Sequence, residues 1–180
     1  MARLKLATAW LGGCSGCHMS FLDLDEWLLE LVAQANLVYS PLLDVKEFPE
    51  GVDVTLVEGA VANEDHLQQV QRMRERSKVL VSFGDCAVTG NVTAWRNVLG
   101  APDAVLARSY VELATLRPGI PAEAGILPPL TDRARPVHQV VPVDYYLPGC
   151  PPPAERIRAV LEALLAGRAP HLEGRQLKFG

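Results

Sequence analysis

The chain has no long apolar run and no excess of basic charge, and each absence removes a class of function. None of its 180 residues belongs to a stretch of the roughly 18 consecutive apolar residues that a membrane-crossing helix requires. Lysine plus arginine number 17 against 21 acidic residues, a formal net charge of -4, and no basic cluster is available to track a phosphate backbone. The reading is therefore no membrane span and no nucleic-acid partner. The N-terminal stretch Met1-Ala2-Arg3-Leu4-Lys5-Leu6-Ala7 has neither a long apolar core nor a small-residue cleavage site, and no twin arginine follows. A cytoplasmic protein is expected. Cysteine is scarce, with 4 residues in all, and in a reducing compartment these are ligands or free thiols before they are disulfides. A chain of this length buries roughly 70% of its unfolded surface and needs no disulfide to be stable.

What is abundant is apolar residues, 49% of the chain, alongside 14 glycines and 14 prolines. Much apolar material must then lie on irregular segments, as in a subunit seated in a larger assembly or in a proline-rich thermostable surface. The 4 cysteines are placed with a pattern. Trp10-Leu11-Gly12-Gly13-Cys14-Ser15-Gly16-Cys17-His18-Met19-Ser20 ends an apolar run in two glycines and then sets two thiols three residues apart. Cys86 closes Val79-Leu80-Val81-Ser82-Phe83-Gly84-Asp85-Cys86, and Cys150 closes Tyr145-Tyr146-Leu147-Pro148-Gly149-Cys150. Each cysteine-bearing segment follows an apolar run and has glycine within two residues of its cysteine, which points to one shared site.

The rest of the sequence reads as its scaffold. Residues 3–11 alternate as a strand, and Ser20 with Asp23 forms a capping box for a helix whose stripe is Leu24, Trp27, Leu28, Leu31, Val32 and Ala35. The first turn of that helix, next to Cys17, would offer amides to an anionic thiolate site. After a short apolar stretch at Leu37 to Tyr39, Val52 to Gly59 makes a second strand. Asn63 caps a helix striped by Leu67, Val70 and Met73. Val79 to Phe83 is a continuous apolar run, the mark of a strand covered on both faces.

Strand, helix, strand, helix, strand implies a parallel, doubly wound α/β sheet of flavodoxin-like type, with its site on loops at the carboxyl ends of strands. A short helical turn spans Thr93 to Leu99, and residues 100–136 lose periodicity as a proline-rich ordered excursion. Val137 to Leu147 then returns as a strand delivering Cys150. Pro151-Pro152-Pro153 opens a last helix striped by Ile157, Val160, Leu161, Leu164 and Leu165, which Gly167 stops. The expected organisation is one iron-sulfur domain over 1–180: a flavodoxin-like core at 1–99, an irregular excursion with return strand at 100–149, and a C-terminal helix and tail at 150–180.

Cys-x-x-Cys alone suits a metal, an iron-sulfur cluster or a redox disulfide. A thioredoxin-like pair leaves Cys86 and Cys150 unused. Structural zinc sites commonly take two local pairs, and here only one pair is local. One pair plus two remote cysteines on glycine-flanked loops suits the corners of a 4Fe-4S cube, with zinc and unrelated buried thiols left open. His18 reads as an exposed loop histidine able to donate a hydrogen bond or face a partner. Glu58 ends a strand near the site, where lining a proton path, binding a neighbouring subunit, capping a helix and standing in solvent are all open.

Trp10-Leu11-x-x-Cys14-Ser-Gly-Cys17, Val57-Glu58-Gly59-Ala60-Val61, Gly84-Asp85-Cys86-Ala87 and Leu147-Pro148-Gly149-Cys150-Pro151-Pro152 together resemble the small subunits of nickel-iron hydrogenases. The resemblance is to the short type of cytoplasmic, NAD-reducing (bidirectional) enzymes. It implies that Cys14, Cys17, Cys86 and Cys150 hold one 4Fe-4S cluster. The nickel-iron centre would belong to a separate hydrogenase large subunit, and iron-sulfur/flavin diaphorase subunits would be further partners. Gly13, Gly16, Gly84 and Gly149 would shape the loops. Small subunits with two further clusters carry a cysteine-rich extension, whereas no cysteine follows Cys150 here. They also tend to have glutamates where this chain has Gly13 and Met19. The cluster-bearing subunit of respiratory NADH:quinone reductase shares the Pro148-Gly149-Cys150-Pro151 pattern but typically has adjacent cysteines in place of Cys14-x-x-Cys17. A flavodoxin-like sheet can also accept FMN at its strand ends. The non-enzymatic alternative is a flavodoxin-like domain with a structural metal.

Overall fold

In the computed structural model, which describes residues 3–177, five strands make the main sheet: β1 (Leu4–Trp10), β2 (Ala35–Tyr39), β3 (Val52–Glu58), β5 (Ser77–Phe83) and β7 (Tyr145–Leu147). Their order is β2-β1-β3-β5-β7 and every pairing is parallel. Counted by themselves these strands run 2-1-3-4-5, the flavodoxin-like order, with its reversal of winding between β1 and β3. The expected doubly wound sheet is thus found.

Strand alternation sorts side chains between two cores. Leu6, Leu56, Val81, Phe83 and Leu147 face one, where helices α1 (Gly16–Leu22), α2 (Trp27–Gln34) and α6 (Ala154–Leu165) contribute Phe21, Trp27, Leu31, Ile157 and Leu161. Ala7, Ala9, Val57 and Leu80 face the other, covered by Val70 and Met73 of α3 (Glu64–Arg76) and Ala87 of α4 (Asp85–Thr89). Each fully buried Leu, Ile or Phe contributes about 1.5–3 kcal/mol. The apolar run of β5 is therefore apolar because both its faces are covered. Asn63 caps α3 as expected, its side-chain oxygen accepting from the His66 amide at 2.8 Å.

Four expectations change. The helix expected from Ser20 is two helices, broken where Asp25 takes a left-handed conformation at φ 49°. Leu24, Trp27, Leu31 and Ala35 are still buried, although Ala35 opens β2 and Val32 is 49% exposed. Ser20 lies inside α1, and its hydroxyl donates to the Pro152 carbonyl at 2.6 Å rather than capping a helix. The excursion carries α5 (Pro102–Ala107) and β6 (Leu130–Arg135), and β6 pairs antiparallel with β4 (Val61–Asn63). That pairing spans roughly 70 residues, so local periodicity does not announce it. The return strand shrinks to β7, because Pro142 interrupts the run and Val137–Gln139 forms a tight turn.

One row of residues positions everything that follows. Trp10 lies opposite Glu58, Glu58 opposite Phe83, and Phe83 opposite Leu147. This row is the carboxyl edge of four adjacent strands, and three of the four loops leaving it carry the cysteines.

Candidate metal centre

Cys14 and Cys17 follow β1, Cys86 follows β5 in the first turn of α4, and Cys150 follows β7. Cys17 and Cys86 are buried, while Cys14 and Cys150 are exposed. Ser15 is left-handed at φ 66°, which turns the chain into α1 and leaves the Gly16 amide donating to Cys14 Sγ at 3.4 Å. Gly84, at φ 82°, passes so close to Cys17 that a Cβ would overlap its sulfur. Gly149 is at φ 138°, and a Cβ there would meet Pro152 Cα at 2.5 Å. Both positions need glycine for space as well as backbone freedom.

The loops are tied to one another. The Gly84 amide donates to the Leu147 carbonyl at 2.8 Å, and the Asp85 amide to the Gly149 carbonyl at 2.9 Å. The Asp85 carboxylate accepts from the Gly149 amide at 2.6 Å. Asn91 donates from Nδ2 to Cys150 Sγ at 3.4 Å, and the Thr93 hydroxyl donates to the Gly12 carbonyl at 2.8 Å.

Beneath the first two cysteines lies a buried pair. Glu58 is 1% exposed and His18 2%, a correction to the expected surface histidine. The Glu58 carboxylate accepts from the Cys17 amide at 3.3 Å, from the His18 amide at 3.1 Å and from His18 Nδ1. The amides expected to face thiolates are thus committed to a carboxylate. The imidazole packs edge-on against Trp10, with ring centroids 5.4 Å apart, and near Phe83 at 6.1 Å. His18 therefore covers the edge row, and its buried Nε2 has no hydrogen-bond partner among the described residues.

Burial pushes the Cys17 thiol up, and the charges of Glu58, Cys14, Cys86 and Cys150 push the same way. Burial likewise raises Cys86, against the Thr93 hydroxyl and with Cys14, Cys150 and Glu58. The four sulfurs feel one another, as a shared site requires. Burial and neighbouring charge disfavour the ionised forms of Cys17 and Cys86, which a cationic centre among the sulfurs would offset. Among the described residues no three Cys, His, Asp or Glu side chains converge closely enough to hold a single metal ion. One local pair and two single cysteines, delivered by three loops from one edge of the sheet, suit a cluster in which each thiolate binds a different iron.

The tryptophans separate. Trp27 is buried at 5%, whereas Trp95 is 72% exposed, far toward the surface. A cleft of about 440 Å³ lies at the ends of β1 and β2, lined by Trp10, Tyr39, Ser40, Lys46 and His66 among others. The turn after β1, where a flavin phosphate would need free amides, has those of Cys17 and His18 turned to Glu58 instead. Those two amides are not available to a flavin phosphate. Sequence reasoning missed Asp85 and Asn91 as supports of the Cys150 loop. Their one signal was position, close to a glycine and a cysteine.

Comparison with known proteins agrees with this geometry. Residues 14–164 match the family model described as NADH ubiquinone oxidoreductase, 20 kDa subunit. The chain is 43% identical over 169 residues to the NAD-reducing hydrogenase HoxS subunit delta of Cupriavidus necator, covering 92% of this chain and 80% of that one. It is 38% identical over 173 residues to a subunit of the F420-non-reducing hydrogenase of Methanothermobacter marburgensis, of which it spans only 54%. Among solved structures, a chain of an NAD+-reducing nickel-iron hydrogenase in the H2-reduced state superposes with a TM-score of 0.93 at 39% identity, over 99% of this chain and 100% of that one. A nickel-iron-selenium hydrogenase chain of Dm. baculatum, at 16% identity and a TM-score of 0.62, shares the fold over 98% of this chain. With the sheet order, the cysteine-bearing edge and these relatives in agreement, the chain belongs to the NADH ubiquinone oxidoreductase 20 kDa subunit family, as a hydrogenase small subunit homologous to that of the NAD-reducing enzymes.

Proposed function

We propose that this chain is the electron-transfer small subunit of a cytoplasmic NAD-reducing nickel-iron hydrogenase, with Cys14, Cys17, Cys86 and Cys150 holding one 4Fe-4S cluster. A cluster held by these thiolates supplies one-electron redox chemistry between a nickel-iron site on a large subunit and a diaphorase module carrying iron-sulfur and flavin groups. The chain itself makes and breaks no substrate bond. Its residues hold the cysteine loops in register, exclude water on the Cys17 and Cys86 side, and leave Cys14 and Cys150 facing outward.

The observation that carries this reading is the row Trp10, Glu58, Phe83, Leu147, whose outgoing loops bring four thiols from distant parts of the sequence to one edge. Exposed Met19, Trp95, Val98 and Leu99, at 62%, 72%, 86% and 62%, support a subunit that is covered by partners. No helix among the described residues is long and apolar enough to cross a membrane.

The test is anaerobic iron, sulfide, nickel and zinc analysis of the chain with its copurifying proteins, followed by EPR after reduction. About four irons and four sulfides per chain with a copurifying nickel protein are expected. One zinc per chain without labile sulfide would overturn the proposal and leave a metal-stapled binding domain.

A further inference from the structure

We infer that Asn91 is a positioning residue for an exposed cluster ligand: its side-chain amide holds the Cys150 sulfur and, by donating to it, raises the reduction potential of the bound cluster. The inference rests on the cluster reading above.

Two independent observations meet at this residue. The first is the contact itself, Nδ2 to Cys150 Sγ at 3.4 Å, across 59 residues of sequence. The second is backbone strain. Asn91 is one of three non-glycine residues with positive φ among the described residues, at 35°, and it directly follows Gly90 at 89°. Positive φ is free for Gly90 but costly for a side-chain-bearing residue such as Asn91, and asparagine is among the few side chains that tolerate the region. Gly90 and Asn91 reverse the chain between α4, which carries Cys86, and the 3-10 helix Asn91–Leu99. The turn is anchored to α4: the Gly90 amide donates to the Cys86 carbonyl at 3.0 Å, and the Asn91 amide to Thr89 Oγ1 at 3.3 Å. The backbone of the Cys86 segment thereby aims a donor at the sulfur of another segment.

That donor matters more at Cys150 than it would elsewhere. Cys150 is exposed and Gly149, before it, is the most conformationally free residue type. Its loop is anchored through Gly149 by Asp85 and through Pro148 by Arg156 Nη1 at 2.6 Å, both of which grip backbone, whereas Asn91 grips the sulfur itself. An N–H donated to a ligand sulfur withdraws negative charge from the cluster and so favours the reduced form.

The experiment is an EPR-monitored redox titration of the anaerobic complex carrying Asn91→Gly or Asn91→Asp. Glycine keeps the left-handed backbone and removes the donor. Aspartate keeps the shape, tolerates the same backbone and replaces the donor by an acceptor. Both are expected to retain about four irons per chain and titrate at more negative potential, aspartate further than glycine. At the midpoint of the native cluster the reduced-to-oxidised ratio falls about tenfold, or about 59 mV for one electron. Native potential in either variant at full iron content overturns the inference, as does loss of iron from the glycine variant with an unshifted aspartate variant. Failure of the cluster reading is separate: the unsubstituted complex would then contain no labile sulfide.

Discussion

Replacing Glu58 by leucine tests whether the buried carboxylate holds the first cysteine loop. Glu58 is fully enclosed and accepts from three donors, the Cys17 amide, the His18 amide and His18 Nδ1. Leucine fills similar volume and accepts from none of them. Each buried donor left unpaired costs about 1–3 kcal/mol, and local rearrangement recovers part of the total, so a loss of about 4 kcal/mol is expected. That is a large share of the about 5–15 kcal/mol that holds a domain together. For a chain of this size it lowers the melting temperature by about 8–16 °C.

The assay is thermal unfolding of the anaerobic chain followed by circular dichroism. A second variant separates the ring from the amides: adding His18→Phe to Glu58→Leu removes one of the three orphaned donors and keeps a ring against Trp10 and Phe83. The double variant should regain about 1–3 kcal/mol, a non-additivity that a double-mutant cycle reads directly. A Glu58→Leu chain melting within about 2 °C of the parent would refute the reasoning.

Gly84→Ala should leave the far-ultraviolet spectrum of the sheet unchanged but sharply reduce iron content, since a Cβ at this φ of 82° overlaps Cys17 Sγ; full iron loading by anaerobic colorimetric assay would count against it. His66 gives a pH test. Burial lowers its titration below the ordinary 6.5, and its Nδ1 accepts from the Ala62 amide at 3.3 Å, so the folded chain keeps it neutral. The unfolded chain takes up a proton as pH falls through about 6.5 and the folded chain does so later; the stability this provides is present above that value and lost below it. Urea titrations from about pH 7 to 5 should show a shallower decline for His66→Gln than for the parent, and an equal decline would remove His66 as the cause.

The sheet was legible because its strands are buried on both faces and stand out as apolar runs: Val52 to Glu58 and Val79 to Phe83 needed no tertiary information. The Asn63 cap was equally local. What local pattern could not show was any pairing set by distant chain. β6 reads as Leu-Thr-Asp-Arg-Ala-Arg and becomes a strand only because β4 is beside it. The break at Asp25 was hidden because the apolar spacing of Leu24, Trp27 and Leu31 continues across it. The four cysteines were legible as a site from their matched settings, yet the group beneath them was not. His18 looked like a loop residue until the register put Glu58 directly under it. A charge at a strand end has several fates, and only the neighbouring strand decides which one it meets.

That register also explains why the site has three cysteine-bearing loops on four strands. Along the carboxyl edge, β1, β5 and β7 each lead into a cysteine loop, while β3, lying between β1 and β5, ends in Glu58. A carboxylate instead binds the amides of the loop from β1, and its negative charge acts with burial to raise both enclosed thiols, Cys17 and Cys86. Asn91, by contrast, presents a donor to Cys150. Negative charge below the buried ligands disfavours adding an electron, and a donor at exposed Cys150 favours it. The two supports act with opposite sign on one centre, so substitutions at Glu58 and Asn91 that leave the thiols in place should displace the potential of a bound cluster in opposite directions.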